Sequence, residues 1–170
     1  AREAAIQKIN MSSGSSYSDT RGLAELRNVI AKKIFTDQKI EVNPETEVLV
    51  TVGAKEAILS ALLALVDHGD EVLVEDPGYL GFEPIIRLAG AKPIRIPLQK
   101  ENGFRFPVEN WQEYITTKTR VLLICNPHNP SGYCLSKNEL NEIGKTAREN
   151  GLTILVDEAY EHFFLMGVNT

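Results

Sequence analysis

The sequence predicts an α/β fold, a mainly parallel sheet with helices on both faces. Short apolar runs at 47–52, 71–74, 92–98, 120–125 and 152–156 alternate with stretches of helical periodicity. Glycine, proline or asparagine punctuates the changes between them. The last run, Leu-Thr-Ile-Leu-Val, is apolar on both faces, as a strand covered from both sides must be. Alternation of this kind implies βαβ crossovers, hence parallel strands.

Taken in order, residues 1–21 are polar, rich in Ser and Gly at 12–16, and read as loop. Residues 22–35 carry apolar side chains at 23, 26, 29, 30 and 34, which is helical spacing. Asn43-Pro44 breaks the chain before the 47–52 strand, and Gly53 ends that strand. Residues 54–66 form a helix that is apolar nearly all round, which predicts burial. A turn at Asp76-Pro77-Gly78 follows the 71–74 strand, and 80–89 is a helix closed by Gly90. Pro93 and Pro97 place the 92–98 strand near an edge. After a polar excursion at 99–106, residues 107–115 read as a short helix with Pro107 in its first turn. Residues 136–150 are a helix, with Ser136 and Glu139 spaced as a capping box and Gly151 just past its end.

With 170 residues, 43% apolar and 24% charged, the chain can bury a core and is expected to be one domain. A net charge of −5 provides no electrostatic reason to expect nucleic acid or an anionic membrane as partner. The longest apolar run, at 57–66, stops at Asp67 and Gly69, well short of a membrane span. No signal peptide is expected, although the chain opens on Ala1 rather than Met. Cys125 and Cys134 are too few for a disulfide framework and match no zinc spacing. Buried, reduced thiols in a cytoplasmic setting fit better. No metal ligands are assigned to His68, His128 or His162. His68 is expected to be solvated, His128 exposed in its loop, His162 packed or at the surface, and Trp111 a packing anchor.

Chemistry concentrates at the strand ends, where ligands collect in open α/β sheets. Gly53-Ala54-Lys55 opens a helix whose first amides can hold an anion, although an ordinary tight turn reads the same way. Tyr79, lifted by a Pro-Gly turn, can stack on a flat ligand or pack partly into the core. Asn126-Pro127-His128-Asn129-Pro130-Ser131-Gly132 is more constrained than a generic loop requires. It should hold Asn126 and Asn129 rigidly, and an X-Pro bond here is a reasonable place for a cis peptide. Asp157 ends the last strand as a ligand contact or as a turn cap, and Tyr160 follows three residues on. No Gly-x-Gly-x-x-Gly follows any strand, and no Gly-x-Ser-x-Gly elbow or Gly-x-x-x-x-Gly-Lys-Ser/Thr loop is present.

These sites, with Tyr17 and the segment Tyr17-Ser18-Asp19-Thr20-Arg21-Gly22-Leu23, resemble the large domain of fold-type-I pyridoxal-phosphate enzymes of the class I/II aminotransferase family. The resemblance runs from Tyr17 to about Phe163. It implies the aspartate aminotransferase-like fold, pyridoxal 5'-phosphate as cofactor, an amino acid and a 2-oxo acid as substrates, and a role in amino-acid metabolism and biosynthesis. Asp157 would face the pyridine nitrogen and keep it protonated, so that the ring withdraws electrons from the substrate carbanion. Asn129 and Tyr160 would hydrogen-bond the ring's 3-oxygen, Tyr79 would stack on the ring, and Gly53, Ala54 and Lys55 would cradle the phosphate. Tyr17 would reach the phosphate of a neighbouring subunit, which implies a homodimer. Asp157 and Tyr160 are the catalytic candidates.

The resemblance also implies parts that this sequence does not contain. The family's Schiff-base lysine lies a few tens of residues past the Asp–Tyr pair, and the small domain carries a substrate-binding arginine. Residues 1–170 therefore read as part of the cofactor-binding large domain, expected to be inactive by itself, to bind the cofactor at most weakly and without a covalent bond, and to leave a sheet edge uncovered. Two other functions share the motifs: a pyridoxal-phosphate lyase or decarboxylase, and an aminotransferase-like ligand-sensing domain of a transcription regulator.

Overall fold

The computed structural model describes residues 2–11 and 17–163. The chain divides into two compact units, Ala1–Thr51 and Val52–Thr170.

In the first unit, α1 (Arg2–Asn10) replaces the loop expected there. The Ser and Gly that suggested a loop begin only at Ser12, and 12–16 lie outside the described residues. Ala4, Ala5, Gln7 and Lys8 are good helix formers, with Glu3 and Lys8 at the ends the macrodipole favours. The helix expected at 22–35 is α2 (Ala24–Gln38), and its buried residue is Arg27. That guanidinium meets both carboxylate oxygens of Glu45 at 3.0 Å and the Pro44 carbonyl at 2.9 Å, and also donates to the Gly22 carbonyl. A buried charge persists only with such partners. Arg21 clamps Asp19 at 2.7 Å, and that bond holds the Asp19 carboxyl well below the usual carboxylate range.

No strand forms at 47–52, contrary to expectation. Among the described residues no ladder includes it, and Val50 N instead donates to the Arg21 carbonyl at 3.0 Å. β-Branched composition makes a segment extended, whereas a strand also needs a neighbour to pair with.

The second unit is a parallel sheet of β1 (Glu71–Asp76), β2 (Lys92–Pro97), β3 (Thr119–Cys125) and β4 (Thr153–Asp157), in the order β2-β1-β3-β4. Its side chains alternate between two cores. Val72, Val74, Val121 and Leu123 pack with Ile58 and Leu62 of α3 (Ala54–Leu65) and Phe82 and Ile86 of α4 (Phe82–Leu88). Leu73, Ile96, Leu122 and Ile124 pack with Ile143 and Ala147 of α5 (Lys137–Glu149) and with Trp111. Helices thus cover both faces, as the alternation predicted. Trp111 is fully buried, edge-on to Phe106 at 5.8 Å. The short helix expected at 107–115 is reduced to turns and a 3-10 helix (Trp111–Tyr114).

Proline-bearing β2 is an edge strand, as read. β4 is the other edge, so its residues are half-buried or exposed rather than covered on both faces. Helix α3 departs in the same way: only Ile58 and Leu62 are buried, and Leu63 is 60% exposed. Apolar composition all round did not bring burial all round. Among the described residues no helix is long and apolar enough to cross a membrane.

The capping box of α5 is formed. Ser136 Oγ accepts from Glu139 N at 3.3 Å, and Glu139 Oε2 accepts from Ser136 N at 2.8 Å. Replacing Ser136 with Ala should cost about 1 kcal/mol in urea denaturation, since it leaves a helix-end amide without its acceptor; an unchanged midpoint would count against the cap.

Candidate cofactor site

From β1 the chain first adds β2 on one side, then β3 and β4 on the other. The order reverses between β1 and β3, and in open α/β sheets a crevice opens outside the strand ends at that point. The register sets the tips level: Cys125 pairs with Asp157, and Asn126 N donates to the Asp157 carbonyl at 3.0 Å. A cavity of about 310 Å³ lies there, lined by Gly53, Ala54, Lys55, Tyr79, Asn129, Asp157 and Tyr160, with Val52, Ile58, Cys125 and Ala159.

One wall is the start of α3. Gly53 takes φ 79°, the left-handed region that glycine tolerates best, and no side chain caps the helix. Lys55 Nζ stands 5.8 Å from the centroid of the Tyr79 ring, within cation–π range. Tyr79 is half-buried and meets Phe82 edge-on at 5.3 Å. A Cβ on Gly81 would come within 2.5 Å of that ring, so the ring's place requires glycine there.

The opposite wall is the double Asn-Pro loop. Both of its X-Pro bonds, Asn126-Pro127 and Asn129-Pro130, are cis, as is Asp76-Pro77. Asn126 serves the scaffold, its Oδ1 accepting from Leu135 N at 2.9 Å. Asn129 turns to the cavity and donates from Nδ2 to Tyr160 Oη at 3.1 Å. Asp157 Oδ1 accepts from Ala159 N at 3.0 Å, the turn-capping contact, and the residue also lines the cavity. Tyr160 is 39% exposed and rests edge-on against Phe163. Tyr17, in the first unit, is fully exposed.

Sequence reading missed several residues here. Cys125 lines the cavity, and period-two alternation from Val121 and Leu123 would have put it on that face. His128 was expected to be exposed and is 4% exposed. Its loop folds inward over it: Nδ1 lies 2.7 Å from Ser131 Oγ, and its amide donates to the Tyr133 carbonyl at 2.8 Å. Burial lowers the pKa of its ring. Glu75 is 5% exposed; desolvation pushes its carboxyl up to about 7 against the opposing hydrogen bond from Cys125 N. Burial, with Asp157 and Glu75 nearby, pushes the Cys125 thiol up to about 11. His68 and His162 are exposed. Among the described residues no cluster of His, Cys, Asp and Glu is disposed to hold a metal ion.

A helix-covered parallel sheet with a cavity at its strand tips has the architecture of an α/β ligand-binding domain. The chain belongs to the aminotransferase class I and II family, whose sequence profile matches residues 1–168. It is 42% identical over 147 residues to an aspartate aminotransferase of Pyrococcus abyssi, a match covering 86% of this chain and 38% of that protein. An aromatic-amino-acid aminotransferase of Thermococcus litoralis is 40% identical over 152 residues, 89% of this chain and 39% of its own length. In three dimensions, the crystal structure of an aromatic aminotransferase from Pyrococcus horikoshii superposes with a TM-score of 0.94 at 38% identity, over 99% of this chain and 45% of that one. The fold is therefore that of the aspartate aminotransferase-like enzymes, and the chain spans about two fifths of the length of these curated relatives.

Two outcomes follow from these environments. The Cys125 thiol stays protonated near neutrality, so iodoacetamide at pH 8 should alkylate half-exposed Cys134 well before Cys125, as mass spectrometry would show; equal rates would contradict it. Because the folded pKa of Glu75 lies above its ordinary 4.5, its contribution to stability is full below pH 4.5 and is lost as pH rises through about 7. A shift of that size is worth about 3 kcal/mol. In urea titrations across that window, Glu75→Gln should lack this loss; identical pH profiles for the two proteins would contradict the burial argument.

Proposed function

We propose that this chain supplies the non-covalent half of a pyridoxal 5'-phosphate site in an aminotransferase. The reading rests on one observation: an acid, an amide–phenol pair, an aromatic ring and a helix start with its lysine all line a single cavity. That donor set fits the cofactor. Its size, about 310 Å³, falls at the low end of the roughly 300–1,000 Å³ usual for small-ligand pockets.

In this assignment Asp157 holds a proton on the pyridine nitrogen, and its carboxylate is kept in place by Ala159 N. Asn129 and Tyr160, already 3.1 Å apart, both donate to the ring's 3-oxygen. Tyr79 covers one ring face and keeps water from it. Lys55 and the first amides of α3 hold the phosphate, where positive charge and free donors coincide. When bound, the cofactor supplies an electron sink for the carbanion left as a bond to the amino acid's α-carbon breaks.

Residues 1–170 are assigned to the large domain of a longer protein that moves an amino group between an amino acid and a 2-oxo acid. The covalent lysine and the small domain belong to that longer protein. Exposed Tyr17 is assigned to the phosphate of a neighbouring subunit in a homodimer. The unpaired Cys125 and Cys134 go with a reducing, cytoplasmic setting.

Titration of pyridoxal phosphate into the chain, followed by its absorbance, should show saturable binding. Asp157→Ala should weaken that binding about tenfold to a hundredfold, the worth of a charge-assisted hydrogen bond. Equal affinity in the variant would overturn the assignment of Asp157, and no saturable binding at all would overturn the cofactor reading.

A further inference from the structure

We propose that Glu75 and His128 form a positioning pair that fixes the Asn126–Gly132 loop and so sets Asn129 against Tyr160. The role rests on the cofactor reading only for what Asn129 then does; the geometry stands by itself. The β1–β3 ladder ends at Val74 and Leu123. Beyond it, Glu75 Oε2 accepts from Cys125 N at 3.0 Å, so a side chain carries the pairing past the ladder to where the loop departs. The same oxygen lies 3.9 Å from His128 Nε2, and both side chains are almost wholly buried.

Ser131 Oγ accepts from Tyr133 N at 3.2 Å and pairs with His128 Nδ1 at 2.7 Å; in the proposed pair the hydroxyl hydrogen goes to Nδ1. The imidazole then carries its hydrogen on Nε2, a buried atom with no hydrogen bond within 3.5 Å among the described residues, facing the Glu75 carboxyl, with the Pro77 carbonyl as a second acceptor near the ring. The loop closes on this residue as well: its amide donates to the Tyr133 carbonyl, and its carbonyl accepts from Gly132 N at 2.7 Å. Asn129 is the next residue. Neither Glu75 nor His128 lines the 310 Å³ cavity that holds Lys55, Tyr79 and Asp157, although His128 borders a neighbouring one with Asn129 and Tyr160, so toward the first cavity the pair acts through Asn129.

The test begins without ligand, on the intact chain labelled at histidine and asparagine. Nuclear magnetic resonance should show His128 as the Nε2–H tautomer, and a contact between the Asn129 side-chain amide and the Tyr160 ring. Glu75→Ala should abolish that contact, while Glu75→Gln, whose amide oxygen can still accept from Cys125 N and face His128, should keep it. Ser131→Ala, at an exposed position, should drive the ring to a tautomer mixture and weaken the contact, and it decides the matter if Glu75→Ala does not fold. With pyridoxal phosphate added, Glu75→Ala and Ser131→Ala should each weaken binding about tenfold, and not at all in an Asn129→Ala background. An Nδ1–H tautomer in the wild type, or an Asn129–Tyr160 contact unchanged in Glu75→Ala and Ser131→Ala, would overturn the pair. Failure of the wild type to bind the cofactor would instead remove the cofactor reading and leave the ligand-free spectra to decide.

Discussion

One backbone hydrogen bond, from Asn126 N to the Asp157 carbonyl, closes the β3–β4 ladder, and the site depends on the register it completes. With Cys125 opposite Asp157, the two loops that follow leave the sheet at the same level, and Asn129 and Tyr160 can meet. A slip of one residue in β4 would turn every side chain to the other face. Asp157 would then point away from the cavity, and Leu155 would leave the α3–α4 core it now packs against. Apolar packing on both sides of the sheet is therefore what holds a polar constellation together at its rim.

Two buried charged groups, one in each unit, meet their partners in different ways. Arg27 spends its donors on Glu45 and two carbonyls, which ties the start of α2 to the 43–45 turn. Glu75 has only Cys125 N within hydrogen-bond distance, with His128 farther off. The first arrangement is saturated and static. The second leaves an acid whose ionisation is opposed by its surroundings, beside a neutral imidazole. That difference makes Arg27 a strut, and makes Glu75 a group whose state bears on the loop next to it.

Much of this was legible in the chain because it is local. The capping box of α5, the proline-marked edge strand β2 and the double Asn-Pro loop each depend on residues within a few positions of one another. The residues expected at the site, Tyr17 aside, line one cavity: Tyr79, Asn129, Asp157 and Tyr160 stand at or shortly past strand ends that the parallel order brings together, and Gly53, Ala54 and Lys55 open α3 beside them. What sequence could not show depends on distant partners. Whether 47–52 is a strand turns on finding a neighbour, and the exposure of β4 turns on its place at an edge. The burial of His128 follows from its facing Glu75, 53 positions earlier in the chain. Helix α1 was a different kind of miss, a Ser-Gly signal at 12–16 spread too far back along the chain.

The most direct test of the central claim is to map where pyridoxal 5'-phosphate touches the chain, by backbone and side-chain resonance shifts during titration. Shifts should concentrate at Ala54, Lys55, Tyr79, Asn129, Asp157 and Tyr160 and saturate together. Shifts centred instead on the separate cavity beside Arg105 and Tyr114, or scattered without saturation, would contradict the account.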